Sequence, residues 1–181
     1  MRKWIALLVA LLAAVTVGLI SPAAATAGPY CGIRWGSLPE AHGDLSQAPL
    51  VNVRAGQHSC FDRLVVDLRG KADGYRVEYV SAVRSDGSGK VISVRGGAKL
   101  QITVLAPAHD ANYNLTFRPA NRNEVVNVAG WRTFRQVVFD GTYEGITTLG
   151  LGVRARLPFR VFTLDGPGSG SRIVIDVAHH W

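Results

Sequence analysis

Two stretches decide the fold: Asp62-Arg-Leu-Val-Val-Asp-Leu68 and, near the other end of the chain, Ser171-Arg-Ile-Val-Ile-Asp-Val177. Both read Arg, apolar, Val, apolar, Asp, apolar. Side chains alternate faces along a β-strand, so Leu64, Val66 and Leu68 share one face, as do Ile173, Ile175 and Val177. Those faces are the candidate core. Arg63, Val65 and Asp67 then share the opposite face, matched by Arg172, Val174 and Asp176. An antiparallel pairing in this register sets Arg63 against Asp176 and Asp67 against Arg172, whereas a parallel one sets like charges side by side. Opposite charges across a ladder contribute roughly 0.2–1 kcal/mol each and like charges cost a similar amount. The expectation is therefore that the first and last core strands pair antiparallel and close one sheet, with Arg63, Asp67, Arg172 and Asp176 as structural ion pairs.

Outward from these strands the pattern stays short and alternating, with Gly-containing breaks. Strands are expected near Arg63–Leu68, Tyr75–Val80, Leu100–Ala106, Gln136–Phe139, Ile146–Val153, Phe159–Leu164 and Arg172–Val177. Between them stand Arg69-Gly70, Asp86-Gly-Ser-Gly89, Gly96-Gly97, Asp140-Gly141 and Gly166-Pro-Gly-Ser-Gly170. Such spacing indicates an all-β sandwich or barrel of short antiparallel strands. The Asn-rich segment from Ala108 to Gly130 lacks periodicity and reads as a long surface connection. A second pair of runs, Gly74-Tyr-Arg-Val-Glu-Tyr79 and Pro158-Phe-Arg-Val-Phe-Thr163, shares aromatic-Arg-Val and suggests two related halves.

The first 27 residues differ from the rest. Arg2 and Lys3 precede a charge-free apolar run from Trp4 to Ile20, and a small-residue segment ends in Ala25-Thr-Ala27. This is the order of a secretory signal peptide cleaved after Ala27. An apolar run of this length is also long enough to anchor in a bilayer, but no charged stop-transfer cluster follows it. Lipidation at Cys31 is disfavoured by Pro29-Tyr30, where small residues are required. Removing residues 1–27 from 181 leaves 154 and takes Arg2 and Lys3 with it, so the charge of +7 falls to +5. Residues 28–181 are the expected domain, opening with a Gly-, Pro- and Ser-rich arm over 28–49 in which Trp35 is the hydrophobic plug. Cys31 and Cys60 are an even count in an exported chain and read as one disulfide.

The residual positive charge fits either an anionic neighbourhood or simple solubility. Its dispersion along the chain argues against nucleic acid. No catalytic constellation assembles. His42, His58, His109, His179 and His180 stand outside any H-E-x-x-H or H-x-E pattern, no G-x-S-x-G elbow occurs, and no metal or cofactor is expected. His179-His180 would point to opposite faces of a strand. Outside clear core positions the aromatic candidates for a binding surface are Trp131, Tyr143 and Trp181, of which the two tryptophans read first as packing anchors. Arg132, Arg135, Glu144 and Arg154 lie near them in sequence. The polar loop Asp140-Gly-Thr-Tyr-Glu-Gly145 combines an aromatic with a carboxylate and is the first choice for a binding edge.

The motifs Cys31-Gly-Ile-Arg-Trp-Gly36, His58 to Leu68, Gly74 to Val80, Arg132-Thr-Phe-Arg-Gln136, Thr147 to Arg154, Leu157 to Gly166 and Ser171 to Val177 together resemble the AMIN-like domains of actinobacterial exported proteins and lipoproteins, relatives of the AMIN domain. The resemblance implies a two-sheet β-sandwich and an exported, non-catalytic, envelope-associated module. By analogy with AMIN, its partner is peptidoglycan or another cell-wall glycan. AMIN domains usually accompany an effector, and none is expected within this length. A protein-interaction module regulating an envelope enzyme and a carrier of a small apolar ligand are the alternatives.

Overall fold

The computed structural model describes Gly28 and residues 30–181; the expected signal peptide lies outside these residues. Among the described residues eleven strands run in the order β1 (Glu40–His42), β2 (Leu50–Gln57), β3 (Phe61–Leu68), β4 (Tyr75–Val80), β5 (Val83–Arg84), β6 (Val91–Ile92), β7 (Ala98–Val104), β8 (Phe134–Tyr143), β9 (Ile146–Val153), β10 (Phe159–Asp165) and β11 (Ser171–Ala178). They form a five-stranded sheet, β1-β4-β7-β9-β8, a four-stranded sheet, β10-β11-β3-β2, and the small hairpin β5-β6. All pairings are antiparallel.

The two large sheets face each other in a sandwich. Leu64, Val66, Ile173, Ile175 and Val177 from one meet Val77, Leu100, Ile102, Leu149 and Leu151 from the other, all with no exposed surface. The alternation read from β3 and β11 is thus the alternation of the core. Their register sets Arg63 opposite Asp176, Val65 opposite Val174 and Asp67 opposite Arg172. Two corrections follow. β3 is not the first core strand, because β2 (Leu50–Gln57) precedes it and covers its other edge, so β3 and β11 are the central pair of their sheet. Nor do Asp67 and Arg172 form an ion pair. Asp67 is taken by Arg54 of β2, through Nε and Nη2 at 2.9 and 3.0 Å, and by the Asn52 amide at 3.0 Å. Arg172 instead donates through Nη2 to the Asp165 carbonyl, and its buried Nε has no partner among the described residues.

Both open flanks of the sandwich are closed, one by the N-terminal arm with its short strand β1 and the other by non-strand chain. On one side the N-terminal arm bridges the sheets: β1 pairs with β4, while the Glu40 carboxylate accepts the Val161 N–H of β10 at 2.8 Å. The matched runs in β4 and β10 therefore lie in different sheets and meet across the core, where Tyr75 Oη donates to the Val161 carbonyl and Tyr79 Oη to that of Leu157. On the other side the segment over 108–130 is more than a surface connection. It buries Phe117 and Val128 and seals edge strand β8, whose Phe139 N–H donates to the Arg122 carbonyl while Val125 N–H donates to that of Val137.

The outer face of the five-stranded sheet carries a flap. Residues 83–95 lie across β9 and bury Val83 and Val94 against Val138 of β8. Gly150 and Gly152 make this approach possible: a Cβ on Gly152 would stand 1.7 Å from the Arg95 carbonyl oxygen. The flap ends with Arg95 N–H donating to Gln136 Oε1 at 2.6 Å.

Candidate functional site

The five residues singled out as ligand contacts do not come together. β8 and β9 form one hairpin, and Arg132, Arg135 and Arg154 lie at its open end while Tyr143 and Glu144 lie at its turn. The three arginines are engaged locally. Arg132 donates to the Ser59 carbonyl, Arg135 folds back onto the carbonyls of Trp131 and Phe134, and Arg154 donates to the His179 carbonyl. Trp131 stacks on Phe134 at the edge of the core, and Trp181 donates through its indole N–H to the Arg156 carbonyl.

At the turn end, Asp140-Gly141 is not the loop that its composition suggests. β8 continues through it with a bulge between Phe139 and Gly141, and the turn proper is Glu144-Gly145, both at positive φ (46° and 82°). A bulge places two residues against one and re-aims a side chain. Here it turns Asp140 towards the flap, where Oδ2 accepts the Ser85 hydroxyl at 2.6 Å. This bond ties the 85–88 turn to the β8–β9 hairpin. Between them opens a cleft of about 600 Å³, lined by Ser85, Asp86, Gly87, Arg122, Asp140 and Tyr143, with Leu115 at its rim.

Tyr143 is half exposed, and its ring lies so close to Gly87 that any Cβ there would stand 2.7–2.8 Å from ring carbons. Glycine at 87, also at φ 74°, lets the backbone pack flat on the ring and hold it. Arg122 stacks over Phe139 at 5.3 Å and donates through Nε to the Phe139 carbonyl at 3.3 Å, leaving the rest of the guanidinium at the cleft. Sequence reasoning missed Arg122, Asp86 and the Ser85–Asp140 bond, because each reaches the cleft from a segment distant in sequence.

The opposite end of the sandwich holds a buried polar joint. Asp62 has no exposed surface; Oδ2 accepts the N–H groups of Thr133 and Phe134 at 2.8 and 2.9 Å, and Oδ1 lies 3.1 Å from His179 Nε2. His179 faces inward and His180 outward, where it meets Tyr30 edge-on. The Cys31–Cys60 disulfide closes beside this joint, with His179 N–H donating to the Cys60 carbonyl. Among the described residues no three His, Cys, Asp or Glu side chains gather as a metal ion would need. No helix there is long and apolar enough to cross a membrane.

The family model of the AMIN-like domain matches residues 48–179, which take in every strand from β2 to β11. The chain belongs to the AMIN-like domain family. Domains of this family are typically associated with the cell envelope and non-catalytic in type. A disulfide in such a domain points to a compartment outside the cytoplasm. No curated protein and no solved structure matches the chain.

Proposed function

We propose that this AMIN-like domain is exported through residues 1–27 and acts as a non-catalytic envelope module that binds peptidoglycan or another cell-wall glycan in the cleft beside the β8–β9 turn. The observation that carries the reading is the Tyr143 ring, half exposed and braced by Gly87, with Arg122, Asp86 and Asp140 around it. Sugar rings present apolar C–H faces and a rim of hydroxyls, and an aromatic plate beside fixed charged groups matches both. Bracing matters as well, because a ring already held in place loses little entropy on binding. The cleft volume of about 600 Å³ lies within the range of small-ligand sites.

Sedimentation of the exported protein with purified cell-wall fractions at low salt tests this. Wild type should co-sediment with a glycan fraction, and Tyr143→Ala and Arg122→Gln should each lower the bound fraction several-fold. Failure to bind any fraction, or co-purification with an envelope protein instead, would remove the glycan reading.

A further inference from the structure

The outer face of the four-stranded sheet carries a second charged arrangement, on the other side of the sandwich from the Tyr143 cleft. At its centre is Asp176 of β11, whose side chain has no exposed surface. Arg160 of β10 and Arg63 of β3 stand opposite it on either side. Arg63 donates through Nε and Nη2 to the two carboxylate oxygens at 2.6 and 2.9 Å, and Arg160 donates through Nε to Oδ2 at 2.9 Å. Aromatic rings hold both guanidinium groups. Arg160 lies 4.4 Å from the Trp35 centroid and 5.0 Å from that of Phe162, and Arg63 lies 5.2 Å from Phe61 and 5.5 Å from Phe162.

Neutralising one buried carboxylate needs a single bidentate arginine. Two are present, so the trio keeps a net charge of +1. Neither arginine is sealed: their side chains stay 26% and 42% exposed. Neither Nη1 group has a hydrogen-bond partner among the described residues, and neither is among the buried unpaired atoms. Further along the same face Arg54 is neutralised by Asp67, but Arg172 meets no carboxylate among the described residues. Arg172 is four residues from Asp176, about 13 Å along the strand. The face therefore offers two excess positive charges in a line, the first of them on rigid, stacked groups.

We propose that this face binds a phosphodiester-linked anionic polymer, with Arg63 and Arg160 each donating from Nη1 to a non-bridging oxygen of one phosphate and Arg172 meeting a later one. A phosphodiester carries one negative charge, equal and opposite to that of the trio. Its two non-bridging oxygens are separate acceptors on one tetrahedral phosphorus, so each of the two guanidinium groups can take one. The rings that fix the arginines reduce the entropy lost when a ligand docks. This site is independent of the cleft and stands whether or not the cleft takes a glycan.

The test is calorimetric titration of the exported protein with a poly(glycerol phosphate) oligomer at low and physiological salt. Binding should occur at low salt and weaken as salt rises. Arg160→Gln leaves Arg63 to satisfy Asp176 and should lose about tenfold or more in affinity with little change in melting temperature. Arg118→Gln, on an exposed loop elsewhere, should leave affinity unchanged. Asp176→Asn raises the charge of the trio and, if it folds, should bind more tightly, which a purely structural cluster would not do; if it does not fold, the Arg160→Gln result decides. Absence of binding at low salt, or equal losses in Arg160→Gln and Arg118→Gln, would overturn the proposal. So would equal affinity for polygalacturonate, or binding only to phosphatidylglycerol vesicles.

Discussion

Replacing Gly152 by alanine should detach the flap over 83–95 from the sandwich and take one wall of the cleft with it. The new Cβ would lie 1.7 Å from the Arg95 carbonyl oxygen and 3.1 Å from Val94 Cγ1, so backbone must move. Complete detachment exposes Val83, Val94 and Val138, now 0%, 6% and 2% exposed. At about 1.5 kcal/mol per valine, plus about 1 kcal/mol for the Arg95–Gln136 bond, these contacts are worth about 5.5 kcal/mol. A partial shift of the kind overpacked sites make costs about 1–3 kcal/mol. A loss of about 3 kcal/mol is expected, a large share of the roughly 5–15 kcal/mol typical of a domain. Gly150→Ala is the graded control. Its Cβ meets Val94 Cγ2 at 2.8 Å, a side-chain contact that a small shift of the flap relieves without moving β9 backbone, so about 1 kcal/mol should suffice. Urea denaturation gives both values, and hydrogen exchange locates them: in Gly152→Ala the amides of 83–95 should lose protection while those of β3 and β11 keep theirs relative to the global stability. Gly87 rides on the flap against Tyr143, so cell-wall binding should fall too. If Gly152→Ala costs no more than Gly150→Ala, or flap protection is unchanged, the account of the flap is wrong.

Arg63→Asp places a second carboxylate beside buried Asp176 and should cost more than about 2 kcal/mol by chemical denaturation. Adding Asp176→Arg should restore only part of it, because Arg160 then faces an arginine; full recovery would mean that Arg160 contributes nothing to the cluster. Cys31→Ser with Cys60→Ser opens a loop spanning 29 residues of separation. On the chain-entropy model this should lower stability by about 3–4 kcal/mol, and a loss below about 1 kcal/mol would show that the arm is held by Trp35 and Glu40 alone. Burial raises the Glu40 carboxyl above its usual value of 4.5, against the opposing Val161 N–H. A folded pKa above the unfolded one adds stability that is fully present below the unfolded value and lost as pH rises through the folded value. Glu40→Gln should therefore lose this dependence and gain on wild type between pH 4 and neutrality in melting experiments; a gap that widens towards acid would contradict the sign.

What the sequence made legible was the interior of the sheets. β4 and β9 run from Tyr75 to Val80 and from Ile146 to Val153, as their short apolar, β-branched runs between turn residues indicate, and the β3–β11 register can be read from four charges. β2 was not legible. Leu50-Val-Asn-Val-Arg-Ala-Gly-Gln57 mixes Gly and polar residues because it is an edge strand with an irregularity between Leu50 and Asn52, so only part of it is held to alternation. Its presence also explains the failed half of the charge prediction. A pairwise reading offers Asp67 only Arg172, whereas the third strand brings Arg54 with a bidentate geometry that wins.

The cleft was half legible for a related reason. Asp140-Gly141 reads as a turn because Asp and Gly favour turns, yet a bulge uses the same residues for the same backbone freedom. Only the partner strand distinguishes them: β9 runs on to Ile146 opposite Tyr143, which forces β8 to absorb an extra residue at Asp140. Bulge and loop both aim polar groups outward from a sheet edge, so the composition of 140–145 still marks one wall of the cleft. It could not supply Arg122 or the 85–88 turn, which arrive through the flank segment and the flap. These two pieces lie outside the main sheet ladders, and the strand periodicity that reveals a sandwich is silent about them. Variation in what such a fold binds can therefore reside in the flap and the flank while β3, β9 and β11 keep the same pattern. Exchanging the 84–90 turn for one without Gly87 should then alter cell-wall binding with little change in stability, whereas any exchange within Gly150-Leu-Gly152 should change both.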